Sequence, residues 1–145
     1  MNPPHRIALE LTDAAVRRVF STGWRVCNQM PLILGQRIDP EPDVAVVAGS
    51  PRDGNAHPTT AALVIEISDT TLQYDTTTKV ELYAAAAIPE YWVLDINSRT
   101  LLIYRDPFTD AARVSTYRTQ STIAATDSVI PLAVAGAIRV ADLLP

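Results

Sequence analysis

The run LVIEIS, Leu63 to Ser68, constrains this chain more than any other stretch. Its β-branched and apolar side chains read as a buried strand, yet Glu66 sits in the middle of it. Side chains alternate along a strand, so Val64, Glu66 and Ser68 share one face while Leu63, Ile65 and Ile67 share the other. An ionised carboxylate among apolar neighbours is costly unless a cation, strong hydrogen-bond donors or a metal ion compensates it. Glu66 therefore demands a partner.

Asp43 is the first candidate. It follows Pro42 at the start of a second short strand-like stretch, PDVAVVAG, where its side chain can look over the sheet edge. If the two strands are neighbours, Asp43 and Glu66 converge with the main-chain carbonyl of Ile67, a set of hard oxygen donors suited to Mg²⁺ or Mn²⁺. Lys79 is the second candidate. The chain has eleven arginines and this single lysine, and an ammonium is a compact charge with a tunable pKa that a guanidinium does not replace. From a helix behind the strand, Lys79 would stabilise negative charge on a pentavalent phosphate or orient an attacking water.

Simpler readings compete with each of these. Glu66 could be satisfied by an arginine in a structural ion pair. Asp75 and Lys79 stand at i, i+4 and could pair on their helix for about 0.2–0.5 kcal/mol. Asp43 could be an ordinary strand-edge residue. Asp95, ahead of Ile96, Asn97 and Ser98, reads as turn chemistry, and Tyr83, Tyr91 and Trp92 read as core or rim aromatics.

The remaining pattern supplies elements for such a site. Apolar spacing predicts a helix over Arg6 to Phe20, stopped by Gly23. The stretch WRVCNQMPLILG reads as extended and broken at Pro31, and SPRDGNAHPTT as a loop. A second helix is expected from Asp75 or Thr76 to Ala87, with Thr78 and Glu81 at capping-box spacing and Pro89 beyond its end. EYWVLDINSRTLLIYRD is a hairpin turning at Asn97 and Ser98, ARVSTYRTQ a further strand, and AIRVADLLP a short strand with a helical turn. Helix, strands, helix and strands in that order predict an α/β fold, a mixed sheet flanked by helices.

Composition bounds the setting. With 145 residues, 48% of them hydrophobic, one domain over residues 1–145 is expected. The lone Cys27 forms no internal disulfide, and with two histidines it makes a poor zinc set, so the reducing cytoplasm is the expected compartment. No stretch approaches the roughly 20 apolar residues of a membrane span, and MNPPHRIALE lacks the apolar region of a secretory signal. A net charge of −4 disfavours a protein that coats nucleic acid but leaves room for a local basic groove. Arg99, Arg105, Arg113 and Arg118 are the candidate phosphate contacts.

Taken together, EPDVAVV, LVIEIS, YDTTTKVELYAAAAIPEYWVLD and TLLIYR resemble the Uma-type restriction endonuclease family of the PD-(D/E)XK nuclease superfamily. The likeness runs from Pro3 to the closing ADLLP and is most specific between Leu63 and Asp95. It implies a restriction-endonuclease-like fold and Mg²⁺- or Mn²⁺-dependent cleavage of DNA phosphodiester bonds. Asp43 matches the acid of the PD half-motif, Glu66 the D/E position and Lys79 a lysine moved to the following helix, with Ser68 where the superfamily motif has its lysine. Family members carry a further hairpin and acid ahead of the first helix, and this chain begins closer to that helix. Glu10 is the nearest substitute for that acid, and His5 sits near a family histidine. A two-fold homodimer would let such an enzyme cut both strands. The competing expectation is a non-catalytic interaction protein that retains the nuclease fold.

Overall fold

The first helix starts earlier than its apolar spacing predicts. In the computed structural model, which describes residues 2–37, 39–54 and 56–145, α1 spans Pro3–Val19 rather than starting at Arg6. Asn2 caps it, its side-chain oxygen accepting the His5 N–H at 2.9 Å. Proline is at home in the first turn, where a missing N–H forfeits no helical bond. The C-cap is Phe20, and Gly23 turns the chain at φ 97° into the first strand.

Six strands follow: β1 (Trp24–Asn28), β2 (Val44–Ala48), β3 (Leu63–Ser68), β4 (Glu90–Asp95), β5 (Thr100–Thr109) and β6 (Ser115–Ala124). They pair in chain order in one mixed sheet. Every pairing is antiparallel except β3 with β4, because a helical crossover separates those two and returns the chain to the same end. The expected mixed α/β sheet with flanking helices is the observed one. β7 (Ser128–Val129) and β8 (Ile138–Arg139) form a separate two-stranded ladder, and a 3-10 turn over Val140–Leu143 follows.

Each face of the sheet carries its own apolar cluster. Leu63, Ile65 and Ile67 pack with α1, Trp92, Leu94 and the closing Val140 and Leu143. Val64 packs on the other side with Val80, Tyr83 and Ala84 of the crossover and with Tyr91 and Val93. Strand alternation therefore sends Glu66 to the crossover side.

The crossover is not the single helix expected from Asp75 to Ala87. It divides into α2 (Leu72–Thr76) and α3 (Thr78–Ala85), with Thr77 between them at φ −124° and ψ −79°. The threonine run explains the break. Thr76 and Thr77 hydroxyls donate to the carbonyls of Leu72 and Gln73, at 2.8 and 2.6 Å, a local bonding that competes with helix continuation. The expected capping box at Thr78 and Glu81 is also absent: Thr77 is the N-cap, and its side chain makes no capping bond.

Candidate active site

The β2–β3 pairing brings the two sequence-predicted acids together. Its register sets Val44 against Ile65, so Asp43 and Glu66 lie one step further along, opposite each other. Their contacts are reciprocal. The Asp43 N–H donates to Glu66 Oε1 at 3.1 Å, and the Ile67 N–H donates to Asp43 Oδ2 at 2.8 Å. Each carboxylate is thus fixed by the main chain of the other's strand.

Lys79 supplies the cation. Its Nζ donates to Glu66 Oε2, and the Tyr83 hydroxyl donates to the same oxygen at 2.9 Å. Lys79 and Tyr83 stand four residues apart on α3, on one helical face. Glu66, only 4% exposed, therefore answers its desolvation cost with an ammonium, a phenol and a peptide N–H. No arginine takes part. The buried acid that does pair with a guanidinium is Glu90, 2.7 Å from Arg105.

Burial raises the pKa of Glu66 and the Lys79 charge opposes that rise. For Lys79 burial alone would lower the pKa, but the charge and hydrogen bond of Glu66 prevail and raise it. Burial likewise pushes the Tyr83 hydroxyl far up, reinforced by the Glu66 charge. Tyr83 is thereby a fixed donor and no base.

Asp75 does not form the i, i+4 ion pair with Lys79 that the simpler reading allows. It is buried, and its Oδ2 accepts from the Ser68 hydroxyl at 2.5 Å and the Thr71 hydroxyl at 2.7 Å. The helix break turns it inward toward β3. Ser68, on the same strand face as Glu66, so anchors the floor of the site. His5 comes from α1, with Nε2 3.4 Å from Asp43 Oδ2. Its Nδ1 is buried without a partner. Glu10 is exposed and lies outside the cleft lining.

His5, Asp43, Glu66, Asp75 and Lys79 line an open cleft of about 400 Å³, together with Glu41, Asp69 and Tyr74. The candidate phosphate-binding arginines lie elsewhere. Arg99 donates to the Pro145 carbonyl, Arg105 is bound to Glu90, and Arg118 pairs with Asp106 across the β5–β6 ribbon. Arg113 occupies the left-handed turn before β6, at φ 63°. Asp95 does the expected turn chemistry, accepting the Ser98 N–H at 3.2 Å.

The donor chemistry suits a hard cation. Asp43 Oδ1 takes no part in the bonds above and Glu66 Oε1 accepts only one N–H, so both acids retain oxygen lone pairs. Among the described residues no three His, Cys, Asp or Glu side chains gather as a metal cage. Two carboxylates with main-chain oxygen and water are what Mg²⁺ tolerates.

With this geometry, comparison with known proteins becomes specific. The family Uma2, described as "Putative restriction endonuclease", matches residues 1–141. The chain belongs to the Uma2 family. The crystal structure of "a putative nuclease belonging to DUF820" from Anabaena variabilis ATCC 29413 shares the fold, with a TM-score of 0.76. At 16% identity, the match covers 99% of this chain and 81% of that one. Among curated proteins none matches. This Uma2 member has no helix, among its described residues, long and apolar enough to cross a membrane.

Two parts of the candidate site are harder to read from the sequence. Tyr83 reads as a core or rim aromatic, although its i, i+4 spacing from Lys79 signals a shared target. Asp75 is open in the sequence to an i, i+4 pairing on its own helix, and the threonine run is the available sign that the helix breaks.

Proposed function

We propose that this Uma2 member is a divalent-metal-dependent endonuclease that hydrolyses DNA phosphodiester bonds. The observation that carries the reading is the reciprocal bonding of Asp43 and Glu66 with the Lys79 ammonium held on Glu66. Asp43, Glu66 and the Ile67 carbonyl would hold Mg²⁺ or Mn²⁺, which when bound supplies charge stabilisation at phosphoryl oxygens and acidifies coordinated water.

The chain's own residues perform the remaining work. Lys79 has three N–H donors and spends one on Glu66, which leaves two to orient water or to meet charge developing on the phosphate. The Tyr83 hydroxyl and the Lys79 ammonium hold Glu66 Oε2, while the Asp43 N–H holds Oε1. Main-chain donors preset both carboxylates, so little reorganisation is required when a phosphate arrives.

Incubation of the purified protein with Mn²⁺ and closed circular DNA, duplex or single-stranded, tests this. Wild type is expected to cut, Asp43→Ala to be inactive, and Lys79→Met to be slower by on the order of 100-fold. Intact DNA with wild type, together with Mn²⁺ titrations of Asp43→Ala that match wild type, would end the proposal.

A further inference from the structure

The charges lining the cleft are wrong for gripping a duplex. Among the described residues, Glu41, Asp43, Glu66, Asp69 and Asp75 supply five carboxylates against the ammonium of Lys79, and no arginine lines the cleft. Duplex DNA carries a negative charge every ~1.7 Å of its axis, and proteins that hold it neutralise phosphates with Lys and Arg. Metal held by Asp43 and Glu66 would offset charge at the scissile phosphate alone. Within the cleft, affinity for the rest of the substrate has to come from something other than phosphate.

One aromatic residue is placed to provide it. Of the five tyrosines, Tyr83, Tyr91, Tyr104 and Tyr117 are buried, whereas Tyr74 is 51% exposed. It sits on α2 with its ring centroid 5.6 Å from Lys79 Nζ, beside the proposed chemistry. Tyr74, Thr70 and Thr71 line the catalytic cleft and also an adjoining open groove of about 450 Å³. Beyond them that groove is lined by Gln73, Thr77 and Thr78, which are uncharged and carry hydrogen-bonding groups. The two depressions thus meet at the exposed ring. One offers carboxylates and an ammonium, and the other an uncharged, hydroxyl-rich track.

We infer that the site takes single-stranded DNA, with Tyr74 as the platform on which a base stacks and the threonine groove as the track of the flanking strand. This rests on the nuclease reading of the same cleft. A single strand presents unpaired base faces, and stacking on an aromatic ring is indifferent to base identity. A base inside a duplex has no free face for Tyr74. Stacking beside Lys79 would bring the nucleotide's own backbone to the ammonium and the two acids.

Binding and cleavage are measured separately. Anisotropy of a fluorescein-labelled oligo-dT strand, with Ca²⁺ replacing Mn²⁺, is compared with that of the same strand annealed to its complement. The single strand is expected to bind about 10-fold more tightly or better; Tyr74→Ala should lose about 10-fold for the single strand and Tyr74→Phe little. Since the ring is exposed, Tyr74→Ala should melt with wild type, so lost binding is not lost folding. Equal or tighter duplex binding, no binding of either form, or a Tyr74→Ala protein that binds like wild type would each overturn the inference. Cleavage in Mn²⁺ reads the underlying proposal. Tyr74-dependent single-strand binding without cleavage by wild type would sink the nuclease and leave this inference standing, whereas duplex cleavage indifferent to Tyr74 would do the reverse.

Discussion

Glu66 is the residue on which stability and the proposed chemistry meet, because its charge is tolerated in the sheet through Lys79, Tyr83 and the Asp43 N–H. Removing the cation while leaving the buried carboxylate typically costs about 3–5 kcal/mol. Lys79→Met is expected to lose stability of that order at pH 8, measured by urea unfolding. The loss should shrink as pH falls toward the ordinary glutamate value of 4.5, since a protonated Glu66 needs no cation. The sign follows from the folded-state pKa of Glu66 being raised: the folded protein binds this proton more tightly than the unfolded chain, so the group favours folding at low pH and disfavours it as pH rises through its folded value. The Lys79 pKa is also raised, so its stabilisation is intact below 10.5 and lost above. Wild type should therefore weaken above that pH in a way Lys79→Met does not. A pH-independent difference between the two would show that the pair is not coupled as described. Tyr83→Phe, which keeps the ring and removes one donor to a charged group, should cost about 1.5–3 kcal/mol. Asp43, Glu66 and Lys79 were legible in the sequence because strand alternation and a lone lysine are one-dimensional signals. The Tyr83 hydroxyl was not, because a tyrosine in an apolar helix looks the same whether or not its oxygen has a target.

At the level of elements, two local breaks in regularity aim the side chains. The α2–α3 break at Thr77 turns Asp75 toward Ser68 while α3 presents Lys79 to Glu66. Replacing both Thr76 and Thr77 by alanine removes the competing hydroxyl bonds and raises helix propensity. The expected outcome is a protein that melts near wild type but cleaves more slowly, because a continuous helix would present Lys79 at a different angle. An activity assay beside a thermal melt checks it, and unchanged cleavage would mean that the break does not aim the lysine. The cap of α1 is the second device. Asn2 accepts the His5 N–H and its amide donates to Asp69, so it ties the turn bearing His5 to the end of β3. Asn2→Ala should cost about 1 kcal/mol as a lost N-cap, measurable by urea unfolding. Apolar periodicity located α1 but not its first turn, because Pro3, Pro4 and His5 add nothing to an apolar stripe and are recruited by the cap instead. The hairpin from Glu90 was readable throughout, since alternation and turn residues there agree. β7 and β8, each two residues long, are too short to carry a period.

Across the whole molecule, two of the arginines on the β5–β6 ribbon hold the fold rather than face the cleft. Glu90 is buried and accepts from Arg105, the Trp92 indole and the Leu132 N–H, while Arg105 also donates to the Ile130 carbonyl. This pair fastens the sheet to the segment leading into β8, which is why an arginine that looked available for phosphate in the sequence is not. The sequence could report its charge but not its partner, because the two residues meet only through the β4–β5 register, which sets Glu90 against Arg105. Arg118 is likewise engaged, by Asp106 and by the Phe108 ring 4.3 Å away. With a net charge of −4 and one ammonium among the described residues that line the cleft, few cations are at hand there to displace counterions when DNA binds. For single strands the slope of log K against log salt is about −0.7 per phosphate neutralised. One or two such contacts give a slope between about −0.7 and −1.4. Anisotropy titrations of a labelled single strand over a series of KCl concentrations, at fixed Ca²⁺, measure it directly. A slope steeper than about −4 would require six or more phosphate contacts, and so a basic surface away from the cleft, with Tyr74 no longer the main source of affinity.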